Sequence, residues 1–340
     1  MLRVRPGLHV DETSDVGTIE GLAEEWSDLW DRCRDATTFQ RPEWLLPWVR
    51  CFTPHDPWVI QVRDGGRLVG LAPLFVYGTA GERVVAPLGV GISDYLDLLV
   101  DRALEREALD AIFTMLAENH RRWSRVDLEA LRPVSPVLRA PLPAGYEDEV
   151  EALDVCPVLT VPLGDLRSVV RSRQLSHFRK ARRDLEKAGA VRIEVANEQT
   201  REELLEALLR LHAARWTALG STGVLADPSV QRFHREVSAG LLARGVLRLY
   251  ALRVDDRIVG SVYTFLEKDV AYFYLQGFDP EFQWFSPGMQ VVGHAIEEAV
   301  RRGARSCDFL RGAEAYKYAW GATDQPTFRR RIHNRTWQPA

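Results

Sequence analysis

Two short segments late in the chain hold residue types that can do chemistry. The first reads Gln283-Trp284-Phe285-Ser286-Pro287-Gly288-Met289-Gln290. Its Ser-Pro-Gly stands where a helix should begin. Unpaired backbone N–H groups and the helix dipole favour an anion at such a point. Pro287 pre-sets the first turn, and Gly288 lets a phosphate approach the backbone. The competing explanation is that Ser-Pro-Gly is only a good helix start. The second segment places Glu314, Tyr316 and Lys317 after a strand end, in a loop that carries Gly312. A carboxylate, a phenol and an ammonium can take a proton, give one, and steady developing negative charge. The competing explanation for Tyr316 and Lys317 is an aromatic plug beside a solvated ammonium.

Other candidates are more dispersed. Asp94 and Tyr95 end a glycine-rich stretch and can meet a cationic or hydroxylated group, or Asp94 can cap its own turn. Arg215 and Trp216 close a helix and offer a stacking surface, though Trp216 suits core packing equally well. Tyr272 and Tyr274 share one face of a strand and can line a channel or simply pack. His294 sits off an apolar helix face and is given no catalytic role. The Arg179–Arg183 patch is by default a solvated helix face.

These residues need elements to position them. Ile19 to Arg34 reads as a helix with Ile19, Leu22, Trp26, Leu29 and Trp30 on one face. A second helix follows Arg41-Pro42. The hairpin Trp58 to Phe75 comes next, then a glycine-rich loop from Gly78 to Gly91. Asp94 to Val100 reads as a strand, Glu105 to His120 as a helix, and Leu153 to Leu163 as a strand. The proline-rich run Pro133 to Pro143 reads as a linker or crossover. Leu175 to Gly189 reads as a helix, with Ser176 able to cap it and Gly189 able to end it in a left-handed conformation. Helices at Arg201–Leu219 and Val230–Ala243 follow. A second hairpin, the strand Val270–Phe278, the helix Gly288–Arg302 and the strand Ser306–Leu310 complete the series. A basic tail spans Phe328 to Arg335.

The order repeats. At a fixed offset of 190 residues, Arg63, Arg67, Val69, Gly70 and Phe75 match Arg253, Arg257, Val259, Gly260 and Phe265. Asp64-Gly65-Gly66 and Asp255-Asp256 supply the backbone angles of tight hairpin turns. Each hairpin leads on to a helix and a short strand, Arg125–Leu128 and Ser306–Phe309. A repeat this long is a duplicated domain. The expected boundaries are 1–150 and 151–340, each an α/β (α+β) unit.

Bulk properties bound the rest. With 340 residues, 46% hydrophobic and 27% charged, the chain suits two globular domains. A net charge of −4 argues against a protein that binds nucleic acid over its whole surface. Cys33, Cys51, Cys156 and Cys307 show no metal-ligand spacing and no disulfide framework, so no metal is expected. No signal peptide is apparent, and no run reaches the roughly 18 apolar residues of a membrane span. The expected location is cytoplasmic.

An ordered set of motifs resembles a known family. It comprises Glu25-Trp26-Ser27-Asp28-Leu29, Phe39-Gln40-Arg41-Pro42-Glu43-Trp44, Ser93-Asp94-Tyr95, Arg215-Trp216, Gly277-Phe278-Asp279-Pro280, Phe285-Ser286-Pro287-Gly288, and Asp308 through Lys317. Together they resemble the CelD/BcsL-like branch of the GNAT acyltransferases, similar in fold to Fem-type aminoacyltransferases. The usual GNAT signature carries more glycine than Gln283 to Met289 does, and the Ser-Pro-Gly form is that of the CelD-like branch.

The resemblance implies tandem GNAT-like domains, each a mixed, mostly antiparallel sheet flanked by helices. It implies acyl-CoA, acetyl-CoA above all, held by the second domain at Phe285, Ser286, Gly288, Met289 and Gln290, and a first domain degenerate for CoA. An amine of a small molecule or saccharide would be the acceptor, attacking the acyl group directly in the cleft between the domains. Asp94, Tyr95, Arg215, Trp216, Tyr272 and Tyr274 would bind that acceptor or line the acyl channel. Glu314 would act as base, its pKa raised by burial, with Lys317 on the oxyanion or a phosphate and Tyr316 at the leaving thiolate. The Arg179–Arg183 patch would then face a CoA 3′-phosphate, an anionic acceptor or tRNA. Two alternatives stand beside this: an aminoacyl-tRNA-dependent, amide-forming transferase, and a non-catalytic scaffold in polysaccharide or secondary-metabolite assembly.

Overall fold

A computed structural model describes residues 7–79, 81–161, 166–218 and 223–337. The chain divides into two units. One runs to Asp154 and regains the chain from Pro326; the other is Val155–Gln325.

The first unit starts with β1 (Leu8–Thr13), α1 (Val16–Gly21), α2 (Ala23–Arg32) and α3 (Pro42–Phe52). The helix expected over Ile19–Arg34 is thus two helices joined at Leu22. Trp26, Leu29 and Trp30 bury one face of α2, as their three- and four-residue spacing requires. Their indoles also fix the next loop: Trp26 Nε1 donates to the Gln40 carbonyl at 2.9 Å, and Trp30 Nε1 to that of Thr37 at 2.8 Å. The hairpin β2 (Pro57–Asp64) and β3 (Arg67–Thr79) turns at Gly65-Gly66, both at positive φ.

The next stretch departs from expectation. The segment read as a glycine-rich loop contains β4 (Glu82–Pro87), a full partner of β3. Conversely, most of the strand expected over Asp94–Val100 is irregular; only β5 (Leu99–Val100) pairs, with Gly70 and Leu71. Glycines at positions 78, 81, 89 and 91 masked a strand of only six residues. Then follow α4 (Glu105–Glu118), β6 (Arg125–Leu131) and the long β7 (Glu147–Thr160). The sheet of this unit runs β1-β2-β3-β4-β6, then a strand from the far end of the chain, then the first half of β7.

The second unit opens with α5 (Ser172–Leu185). Ser176 is not its cap: it lies inside the helix, and the N-cap is Arg171, without a side-chain bond. Gly189 does not end the helix left-handed either. A Cβ there would fall 2.6 Å from the Asp255 carboxylate, so glycine serves close approach. A strand not anticipated, β8 (Val191–Val195), pairs with β9 at the sheet edge. The order continues with α6 (Arg201–Ala218), α7 (Pro228–Ala243), β9 (Leu247–Val254), β10 (Arg257–Glu267), β11 (Val270–Phe278), α8 (Pro287–Arg301), β12 (Ser306–Asp308) and α9 (Ala315–Ala319). This sheet runs from the second half of β7 through β12-β11-β10-β9 to β8. Each unit has its own core, centred on Trp58, Phe113 and Trp123 in the first and on Phe273, Ile296 and Trp320 in the second.

The basic tail is the last strand, β13 (Thr323–His333). Its residues from Pro326 on complete the first unit, where Ile332 pairs with Val126 and buried Arg330 donates to Asp148 at 2.6 Å. The end-to-end division expected from the repeat is therefore interrupted by a returning strand.

The duplication is visible residue by residue. Arg63 donates to the carbonyl of Gly66 in its own turn and pairs with Glu25 on α2. Its match Arg253 donates to the carbonyl of Asp256 and pairs with Glu203 on α6. The matched glycines also share a role. A Cβ on Gly70 would press on Ala108 of α4 at 3.1 Å, and one on Gly260 would press on the Pro287 carbonyl of α8 at 3.3 Å. Both let a helix cross the hairpin closely.

Candidate active site

In the second unit, β11 and β12 run parallel but pair only from Val270–Ser306 to Tyr272–Asp308. β11 continues to Phe278, while the chain after Asp308 turns toward β7, where Phe309 N bonds to the Pro157 carbonyl and Gly312 N to that of Val155. The two strands thus part, leaving one edge of β11 beyond Tyr272 without a β12 partner. The start of α8 packs on β10 and β11 at Gly260 and Phe278, and the loop from Leu310 to Lys317 follows the strand that parts from β11.

The α8 side is built by close packing. Gly277 lies so near α6 that a Cβ would sit 2.7 Å from the His212 amide. Asp279 caps a 3-10 turn over Pro280–Phe285, and Arg257 holds both Asp279 and Glu281. Ser286 then takes a left-handed conformation, φ 52° and ψ 52°, and makes no side-chain capping bond. That is unusual for a non-glycine residue. Pro287 has no N–H, and the amides of Gly288 and Met289 have no intrahelical carbonyl to reach. Gly288 packs on Phe278, where a Cβ would stand 3.3 Å from the ring. Gln290 is fully buried; its Nε2 donates to the Phe285 carbonyl at 3.4 Å, while its Oε1 has no hydrogen-bond partner among the described residues. Phe285 and Met289 are partly buried against the core of the unit.

The other side is organised by one ammonium. Lys317 is 2% exposed. Its Nζ donates to the carbonyls of Leu310 at 3.1 Å, Arg311 at 2.8 Å and Gly312 at 2.9 Å, and lies 2.9 Å from Glu314 Oε2. The solvated ammonium considered from the sequence is therefore a buried one. Leu310, itself buried, is left-handed at φ 56°, held by its amide's 2.8 Å bond to Asp308 Oδ1. Glu314 precedes α9 as its N-cap residue, and its side chain is half exposed rather than buried. Tyr316 is half-buried, edge-on to Phe309 at 6.2 Å.

The remaining candidates fall elsewhere. Tyr272 and Tyr274 do share a face. Tyr272 is buried, and Tyr274 packs with Phe265 and His234, each ring centroid 5.6 Å away. Arg215 and Trp216 fall on α6, and their side chains lie outside the described residues. His294 packs edge-on to Tyr250, and burial lowers its pKa. Asp94 and Tyr95 belong to the first unit. The Tyr95 ring is buried beneath Phe39 and Arg132, and its carbonyl accepts from Gln40 Nε2 at 2.9 Å. The exposed Arg179 and Arg183 lie on α5, beside the 3-10 turn; Arg182 pairs with Glu186. Leu310 and Asp308 give the loop its shape, and nothing in their residue types announced it.

The second unit thus sets a helix start whose first amides lack intrahelical partners on a sheet whose parallel strands β11 and β12 part. Comparison makes this specific: a family model described as Acetyltransferase (GNAT) domain matches residues 172–318. The second unit is a GNAT acetyltransferase domain, and the protein is an acyltransferase of that type. Among solved structures, FemX superposes with a TM-score of 0.65 at 12% identity, covering 94% of this chain and 96% of that one. The C-terminal domain of a putative lysylphosphatidylglycerol synthetase from Agrobacterium fabrum gives 0.59 at 12% identity, covering 93% and 92%. L-PGS from Bacillus licheniformis gives 0.57 at 11% identity, covering 96% and 93%. At these identities the likeness is one of fold. No curated protein matches the chain. Among the described residues, no group of histidine, cysteine and acidic side chains could hold a metal ion, and no helix is long and apolar enough to cross a membrane.

Proposed function

We propose that the second unit binds acyl-CoA at the start of α8 and transfers its acyl group to an amine of a small molecule or saccharide. The observation that carries this reading is the open helix start at left-handed Ser286, beside splayed β11 and β12. The residues present fit a phosphate-bearing donor: the amides of Gly288 and Met289, in the first turn of α8, have no intrahelical partners. Acetyl-CoA is the simplest such donor. When bound, it supplies an acyl group already activated as a thioester.

The chain's own residues do the rest. The amides of Gly288 and Met289 hold the anionic group. Glu314, half exposed and with Oε2 held by Lys317, takes the proton from the acceptor amine. Lys317 acts by position, since its donors are turned on three carbonyls and Glu314. Tyr316 is the proton donor on the leaving side. Alignment of the reacting groups supplies much of the rate.

Calorimetry with acetyl-CoA and longer acyl-CoAs tests the reading, with Gly288→Glu as control. Micromolar binding that the control loses is the expected result. Absence of binding to any acyl-CoA overturns it and favours a second reading, an aminoacyl-tRNA donor. The Fem-type fold and the exposed arginines at positions 171, 173, 179 and 183 around α5 support that second reading.

A further inference from the structure

The first unit contains a cavity of about 530 Å³ between the loop after α2, the segment Asp97–Val100, the start of α4 and Val134–Pro136. That size suits a small organic ligand. A second cavity of about 460 Å³ shares Glu105, Val134 and Pro136 with it; Leu109, Ala140 and Pro141 give its lining an apolar stretch, and Arg106 and Arg139 line it as well.

The polar groups in the inner wall are nearly all committed. Gln40 Nε2 donates to the Tyr95 carbonyl, and its Oε1 accepts from Thr37. Ser135 Oγ donates to Asp97 Oδ1 at 2.9 Å and accepts from Val137 N. Asp97 Oδ1 also accepts from the Leu98 amide at 2.8 Å. Both recorded bonds fall on Oδ1, which leaves Oδ2 an acceptor with capacity to spare. We infer that this cavity binds a small amphiphilic amine, its ammonium on Asp97 Oδ2 and its aliphatic chain running under Val134 and Pro136. No part of this rests on the donor site in the second unit.

Around Asp97, the Ser135 hydroxyl and the Arg132 charge favour the ionised form, and Asp35 opposes it. Arg34, Arg102 and Glu105 stand exposed at the rim. Burial outweighs these and pushes the Asp97 carboxyl up to about 6. An ammonium bound there would bring it down, so affinity falls as pH drops below about 6.

The test titrates the full chain at pH 7.5 with butyl-, hexyl- and octylammonium, using 1-hexanol as the uncharged control, without acyl-CoA. Hexylammonium should saturate in the roughly millimolar range expected of a ligand this small. Affinity should gain about fourfold for each added methylene. Hexanol should bind at least about tenfold more weakly, the loss of one charged hydrogen bond. Asp97→Asn should reduce hexylammonium to the level of hexanol. Val134→Trp changes an exposed position, keeps the fold and narrows the passage, and should abolish the chain-length gain. Equal binding of hexylammonium and hexanol, or affinity unchanged in both variants, overturns the inference, as does the absence of saturation in the wild-type chain.

Discussion

Lys317 Nζ lies 2.9 Å from Glu314 Oε2 while its hydrogens are spent on three consecutive carbonyls. The two residues are three apart, yet one is 3% exposed and the other 50%. They should therefore fail in different ways. Lys317→Met leaves three carbonyls and a carboxylate without their donor and should cost about 3 kcal/mol or more of stability. Glu314→Gln loses a half-exposed pair and should cost under about 1 kcal/mol. Its kcat should nevertheless fall about 100-fold, the usual scale for loss of a general base. Urea unfolding and steady-state rates on both variants check the contrast.

Gly277→Ala tests the packing that supports α8. The new methyl would meet backbone of α6 at 2.7 Å, which no rotamer change can relieve. A loss of roughly 1–3 kcal/mol is expected, the range for overpacking. Gly65→Ala has open space around it but a positive φ, and should cost only about 1 kcal/mol. Thermal denaturation of the pair separates steric from conformational cost.

His234 should make the fold acid-sensitive. It is 1% exposed, and burial, aided by His212, pulls its pKa down to about 3. The unfolded chain then binds a proton at about 6.5 that the folded chain refuses until about 3. Stability is lost as pH falls through that window. His234→Phe should remove this contribution, so its urea midpoint should lose less than that of the wild-type chain between pH 7 and 4.

Asp97 has the opposite sign. Its folded pKa of about 6 lies above the model carboxylate value of 3.8, so the folded state holds its proton longer. Its contribution to stability is present at low pH and lost as pH rises through about 6. Between pH 4 and 6 this loss works against the gain from His234, so Asp97→Asn should climb more steeply with pH than the wild-type chain does. A variant whose midpoint follows the wild-type curve would show that Asp97 carries no such contribution.

Arg253→Met should cost more than Arg63→Met, although both hold a matched hairpin. The Arg253 side chain is 9% exposed and bonds Glu194, Glu203 and a turn carbonyl, whereas that of Arg63 is 19% exposed. Removing a buried charge partner costs about 3 kcal/mol at most sites, and a more exposed one less. Denaturant midpoints of both variants decide it.

The hairpins, the long helices and the repeat were legible because their signals are local. Turn residues, alternation and helical spacing act within a few positions of chain. The same locality exposed Ser286-Pro287-Gly288 as a helix start. It could not reveal that Ser286 is left-handed and makes no side-chain capping bond, since serine type and helix position do not encode that angle.

What only the tertiary structure decided is where distant segments meet. Thr323–His333 reads as a basic tail until Arg330 finds Asp148 and Ile332 joins the first core. Lys317 reads as a surface lysine until Leu310 and Gly312, both at positive φ, turn their carbonyls onto it. Asp97 and Ser135, 38 residues apart, become one hydrogen-bonded wall of a cavity. Residue types set the local elements through backbone sterics and apolar periodicity. The burial and pairing of each charge depended on contacts between segments far apart in the chain, and no local pattern encodes them.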